Sequence, residues 1–160
     1  MNKYIMLFFC LVFSALQAFA SMEAEFANSV IKGDLEQAKY IYDSGQVDIN
    51  HRYVGSPYLF LAAYYKQNTV ALYLLEKGAD PNIKTIDGGS SLFYAVKHGQ
   101  TVLVKKMLEA NPNMNIARHR MFFRLPLKTT AKRNGYTEIY EMLVKYDKNY
   151  KINKQATKSQ

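Results

Sequence analysis

His51, His98 and His119, thirteen carboxylates and a single cysteine, Cys10, are the groups through which this 160-residue chain could ligate a metal, move a proton or attack a substrate. Those chemistries need such groups at set spacings or within recognisable motifs. The histidines lie far apart and form no H-x-x-x-H pair, and the acids are scattered, mostly one or two to a helix. There is no glycine-rich phosphate loop and no Gly-x-Ser-x-Gly elbow. One cysteine builds neither a disulfide framework nor a cysteine-based zinc or iron–sulfur centre. The reading is therefore of no catalytic residue, no metal and no cofactor: this is not an enzyme, and its work is done by a surface.

The elements that carry that surface begin after an address. Lys3 precedes an almost wholly apolar run from Ile5 to Leu16, and Ala18-Phe19-Ala20 then sets small residues at −3 and −1 of a cut before Ser21. That is the pattern of a cleavable secretory signal over residues 1–20, too short for a spanning helix of about 20 apolar residues. Phe9 before Cys10 does not fit a bacterial lipid-attachment motif. Removing 1–20 removes Cys10 as well, so packing alone must hold the exported chain, which suits a bacterial periplasm or a secreted bacterial protein. No stable membrane insertion is expected after cleavage.

With 49% apolar and 21% charged residues the remainder is globular in composition. It is also periodic. Adding 33 to a residue number maps Gly55 onto Gly88, Leu59-Phe60 onto Leu92-Phe93, Ala62 onto Ala95, Leu75 onto Leu108 and Asn82 onto Asn115. Asp48-Ile49-Asn50, Asp80-Pro81-Asn82 and Asn113-Met114-Asn115 are three copies of one loop element, in which Asp48 and Asp80 are expected to brace turn backbone. Within a copy, Ser56 followed by Pro57 predicts a capped helix start. Leu59, Ala62 and Ala63 make one apolar stripe, Val70, Ala71, Leu74 and Leu75 a second, and Gly78 a stop. Two helices of about ten residues cannot bury their own apolar face, so such units must stack on their neighbours.

Gly88-Gly89-Ser90-Ser91-Leu92-Phe93-Tyr94-Ala95-Val96 and Leu74-Leu75-Glu76-Lys77-Gly78-Ala79-Asp80-Pro81-Asn82 resemble the ankyrin repeat. The resemblance runs from about Met22 to Tyr150. It implies an all-α solenoid of four helix-turn-helix repeats with short hairpin loops, about 22–54, 55–87, 88–120 and 121–150, forming one domain over 21–150. The family's Thr-Pro-Leu-His opening appears here as Pro57-Tyr58-Leu59-Phe60 and Ser90-Ser91-Leu92-Phe93, so phenylalanine packing is expected where the family has a histidine network. The fourth repeat lies two or three residues out of phase, so Met121 to Lys128 must bulge or start its helix late. Lys151 to Gln160 reads as a disordered basic tail.

In this family hairpin tips and the ends of first helices line a concave face that grips partners. Carried over by register, the resemblance implies contacts at His51, Tyr53, Val54, Ser56, Tyr64 and Tyr65, then at Lys84, Ile86, Asp87, Gly89, Lys97 and His98, then at Ala117, His119, Arg120 and Phe122. The partner-binding set is led by His51, Tyr53, Tyr64, Tyr65, Lys84, Ile86, Lys97, His98, His119 and Arg120. Tyr64 and Tyr65 follow Ala62-Ala63 and should point away from the core, as interface anchors do.

Between Glu109 and Glu138 there is no acid, whereas Arg118, Arg120, Arg124, Lys128, Lys132 and Arg133 are all cationic, in a chain of formal charge +8. Such a field favours an acidic protein partner, and for an exported protein nucleic acid is not expected. Exported ankyrin proteins of this size resemble immunity proteins, which implies a monomeric periplasmic inhibitor that caps another protein. The alternatives are an envelope scaffold supporting a resident periplasmic enzyme and a secreted effector that binds host proteins.

Overall fold

In a computed structural model of the chain, residues 3–110 and 127–156 are described. Consecutive helices pair: α1 (Lys3–Lys32) with α2 (Leu35–Asp43), α3 (Tyr58–Tyr64) with α4 (Asn68–Glu76), α5 (Ser91–Lys97) with α6 (Thr101–Glu109), and α7 (Leu127–Arg133) with α8 (Thr137–Ala156). First helices pack in one row, α1 on α3 on α5 on α7, and second helices in another, α2 on α4 on α6 on α8. The fold is the all-α solenoid of stacked helix pairs that the resemblance implies. No described helix is long and apolar enough to cross a membrane.

The register of the stack follows from its turns. Each pair is joined where the backbone takes positive φ, at Gly33 (77°), Lys66 (63°), Gly99 (69°) and Gly135 (74°). The next amide closes each turn on the first helix: Asp34 donates to the Ser29 carbonyl, Gln67 to Ala62, Gln100 to Ala95 and Tyr136 to Ala131, all at 2.8–2.9 Å. Ser29, Ala62, Ala95 and Ala131 are therefore equivalent, and the fourth repeat is displaced by three residues. The stretch expected to absorb that displacement lies mostly outside the described residues; its last two members, Leu127 and Lys128, open α7.

Small side chains at these positions let first helices approach, and one continuous core results. Phe26, Ala27 and Val30 from α1 join Leu59, Ala62 and Ala63, then Leu92, Ala95 and Val96, all buried. Val70, Ala71 and Leu74 and then Leu103, Val104 and Met107 fill the second row. Each buried Leu or Met contributes roughly 1.5–3 kcal/mol from apolar transfer.

Loops are tied across repeats as well as within them. Asp48 Oδ1 accepts from Asn50 N at 2.9 Å and Asp80 Oδ1 from Asn82 N at 2.8 Å, so both acids brace turn backbone as the sequence implied. Asn50 Oδ1 then accepts from Asp80 N at 2.8 Å, and Asn50 Nδ2 donates to the Gly78 carbonyl at 3.3 Å, which joins one loop to the next.

Two expectations need correction. Ser56 is not a helix cap: it pairs with Tyr53 in a hairpin of β1 (Arg52–Tyr53) and β2 (Ser56–Pro57), and Pro57 takes the cap position with no side-chain bond. The cap in the next repeat is Ser90, the equivalent of Pro57, whose hydroxyl accepts from Phe93 N at 3.2 Å. The segment read as a disordered tail from Lys151 begins inside α8, which continues to Ala156. Lys, Gln and Ala favour a helix, and neither glycine nor proline interrupts 137–156.

Candidate binding surface

The ends of α3 and α5 converge on a cluster of rings. Phe60 stacks on Tyr64 one turn along the same helix, with centroids 5.8 Å apart. Tyr94 of α5 meets Tyr64 at 5.0 Å and Phe60 edge-on at 5.2 Å. Tyr65 lies edge-on to Tyr64 at 5.1 Å, and His98 adds its ring 5.8 Å from Tyr94. Lys97 Nζ stands 5.2 Å from the Tyr94 centroid, within cation–π range. Tyr64 and Tyr65 remain 44% and 47% exposed, so this cluster is a surface as well as a seam between repeats.

Gly89 makes the seam close. A Cβ there would stand 2.8 Å from Thr85 Oγ1 and 3.0 Å from the Phe60 ring, so only glycine lets that ring lie against the hairpin backbone. Thr85 Oγ1 accepts from Gly89 N at 2.6 Å and donates to Asp87, which closes the loop under the cluster.

The hairpin tips carry the second element of the surface. Val54 is 84% and Ile86 89% exposed, and the two tips are joined where Ile86 N donates to the Gly55 carbonyl at 2.8 Å. Val54 takes φ 47°, a strained conformation for a β-branched residue, beside Gly55 at 77°.

Of the ten leading contact residues, Tyr64, Tyr65, Lys97 and His98 come together in the ring cluster, and Ile86 tops the neighbouring loop. His51 is exposed, but its Nε2 stands 3.4 Å from Glu23 Oε2, which ties the first loop back to α1. Tyr53 is half-buried and packs against the core. Lys84 is half-buried, and its carbonyl accepts from Arg52 Nε at 2.8 Å. His119 and Arg120 lie outside the described residues, as do Ala117, Arg118, Phe122 and Arg124. Phe60, Phe93 and Tyr94 belong to the cluster and were missed. The signal was present: Phe60 and Tyr64, like Tyr94 and His98, stand at i and i+4 on their helices.

His98 is half-buried, with Nδ1 3.3 Å from the Ala63 carbonyl. Burial holds its imidazole below the ordinary value; the bond to Ala63 acts the other way, and Lys66 and Lys97 push it further down. The basic run is less uniform than its sequence implies. Lys128 Nζ pairs with Asp147 Oδ2 at 2.8 Å, an acid carried over from α8, whereas Lys132 and Arg133 are exposed. Among the described residues no group of three or more His, Cys, Asp or Glu is placed to hold a metal ion.

The ankyrin repeats family, in three copies, matches residues 59–156. An ankyrin repeat protein of Neurospora crassa, nuc-2, is 34% identical over 116 residues, which span 68% of this chain and 10% of that protein. The chain thus covers about a tenth of the length of that curated relative.

Proposed function

This chain belongs to the ankyrin repeat family, whose stacked helix pairs are protein-interaction modules, and from that membership we propose that it is an exported, non-enzymatic binding protein that caps an acidic protein partner. The observation that carries this reading is one face on which the exposed Tyr64 and Tyr65 meet the half-buried Tyr94 and His98 beside the cation of Lys97, flanked by the bare apolar tips Val54 and Ile86. Aromatic anchors supply binding energy where they are desolvated, and neighbouring cations steer an acidic partner and penalise a basic one.

An immunity-type inhibitor of a periplasmic protein fits this surface best. A rigid face blocks an active site by contact alone and needs no chemistry of its own. The N-terminal apolar run ending in Ala18-Phe19-Ala20 supports export, and the protein is monomeric when free.

The test is recovery of the tagged protein from an osmotic-shock fraction, with mass spectrometry of what accompanies it. A stoichiometric acidic protein is expected, and it should be lost from the Tyr64→Ala/Tyr65→Ala variant. Retention of the protein in the cytosol removes the exported reading. Recovery without a stoichiometric partner removes the inhibitor reading.

A further inference from the structure

The outer side of the last helix pair is a groove of about 620 Å3, lined by Lys128, Thr129, Lys132, Arg133, Tyr140 and Val144. The register explains why it is there. Lys128 and Lys132 occupy by register the places of Leu92 and Val96, which are buried on α5 one repeat earlier, and α5 packs against α7. Tyr140 and Val144 stand where Val104 and Leu108 help α6 receive α8. The groove therefore has the form that receives helices throughout the stack, and no described helix fills it.

Its two walls differ. On α7, Lys128 and Lys132 stand one turn apart with Arg133 beside them; Asp147 satisfies Lys128, and no ion pair among the described residues occupies Lys132 or Arg133. On α8, Tyr140 and Val144 stand one turn apart; Tyr140 is half-buried, and Val144 is 40% exposed. A terminal repeat that had only to be soluble would be polar across its whole outer face. This one is cationic on one wall and apolar on the other.

We propose that this groove is a second docking site, separate from the ring cluster, and that its occupant is an acidic amphipathic helix of a partner protein. Such a helix would lay its apolar stripe along Tyr140 and Val144 and set carboxylates against Lys132 and Arg133. A second copy of this chain is a poor occupant, because face-to-face pairing sets Lys132 and Arg133 against their own images.

The probe is a labelled peptide of about five helical turns, with leucine at i, i+3, i+4 and i+7 and glutamate beside that stripe, titrated by fluorescence anisotropy against the purified protein. A counterpart with lysine for glutamate is the control. The glutamate peptide is expected to bind and the lysine peptide not to. Lys132→Glu/Arg133→Glu should weaken binding by about tenfold or more, with an unchanged circular-dichroism melt, since both side chains are exposed. Val144→Lys should weaken it through the other wall. Tyr64→Ala/Tyr65→Ala should leave it unchanged, which separates this site from the face proposed above. Equal binding of the two peptides, binding of neither, or indifference to the charge reversal overturns the proposal. So does a dimer dissolved by the same reversal, or Lys132-dependent sedimentation with phosphatidylglycerol vesicles in place of peptide binding.

Discussion

The end of α7 and the ends of α3 and α5 hold equivalent places in the stack, but they are built from different chemistry. Phe60 and Phe93 give way to Thr129, Tyr64 and Lys97 to Arg133, and Tyr65 and His98 to Asn134. The buried Leu92 and Val96 give way to Lys128 and Lys132. The turn hydrogen bond of each pair is nevertheless the same, and Ala62, Ala95 and Ala131 are all fully buried. The fold needs only the small inward residue and the positive-φ turn. Everything else on a first helix answers to what it faces: another repeat and an open aromatic seam in the middle, an unfilled groove at the end.

The largest effect expected from this contrast is on stability. Leu92 is buried between neighbours on both sides, so Leu92→Ala should cost about 2–5 kcal/mol, read as a collapse of the denaturant midpoint. Lys128→Leu/Lys132→Val restores the middle pattern at the end of the stack. It should leave the midpoint intact or raised and cause concentration-dependent association in sedimentation velocity. If Lys128→Leu/Lys132→Val unfolds the protein, the two regions are not equivalent in the way the register states.

Next in size is the division of labour within the cluster. Tyr64 touches Phe60, Tyr65, Tyr94 and His98, whereas Tyr65 meets only Tyr64 among the ring contacts of the described residues. Tyr64→Ala should therefore cost about 1 kcal/mol of stability through lost ring contacts, and Tyr65→Ala much less. Equal losses in thermal melts would break the claim that one ring is half seam and the other wholly surface.

Much of this was legible in the sequence. The 33-residue step located Gly55, Leu59, Ala62 and their images, because packing demands the same residue wherever the same contact recurs. The exposure of Tyr64, Tyr65 and Ile86 agrees with the register carried over with the resemblance. What was not legible depended on contacts between segments distant in sequence. Asp147 reaches Lys128 from another helix, so a run without acids looked wholly unpaired. Ser56 looked like a cap because serine before proline usually is one, whereas the hairpin across Gly55 claims its backbone. Lys66 gave no sign of standing where the other three repeats have Gly33, Gly99 and Gly135.

That last exception sets the third prediction. Lys66 holds φ 63° with a side chain that disfavours it. Lys66→Gly should raise stability by about 0.5–1 kcal/mol, the strain relieved less the added freedom of the unfolded chain. Gly99→Ala is the opposite case. It strains the same turn and sets a Cβ 2.7 Å from the Tyr136 ring, so it should destabilise by more than Lys66→Gly gains.

The smallest effect is a titration, and it separates His98 from Asn134, its counterpart at the end of the stack. Folding lowers the His98 value below the ordinary 6.5, first through burial. Between the two values the unfolded chain binds the proton and the folded chain does not, so acid favours unfolding. The stability contributed by neutral His98 is complete above pH 6.5 and is lost as pH falls through the depressed folded value. Every other group is common to both proteins, so the difference in denaturant midpoint between wild type and His98→Gln, followed from about pH 8 to 5, isolates this site. Wild type should lose more stability on acidification, and an NMR titration should place the His98 ring below the free imidazole. An acidic partner seated on the cluster would oppose this by favouring the charged ring, so affinity should rise over the range in which stability falls. An unchanged pH slope in His98→Gln would mean that His98 is solvated as fully as Asn134, and that the aromatic seam does not close around it.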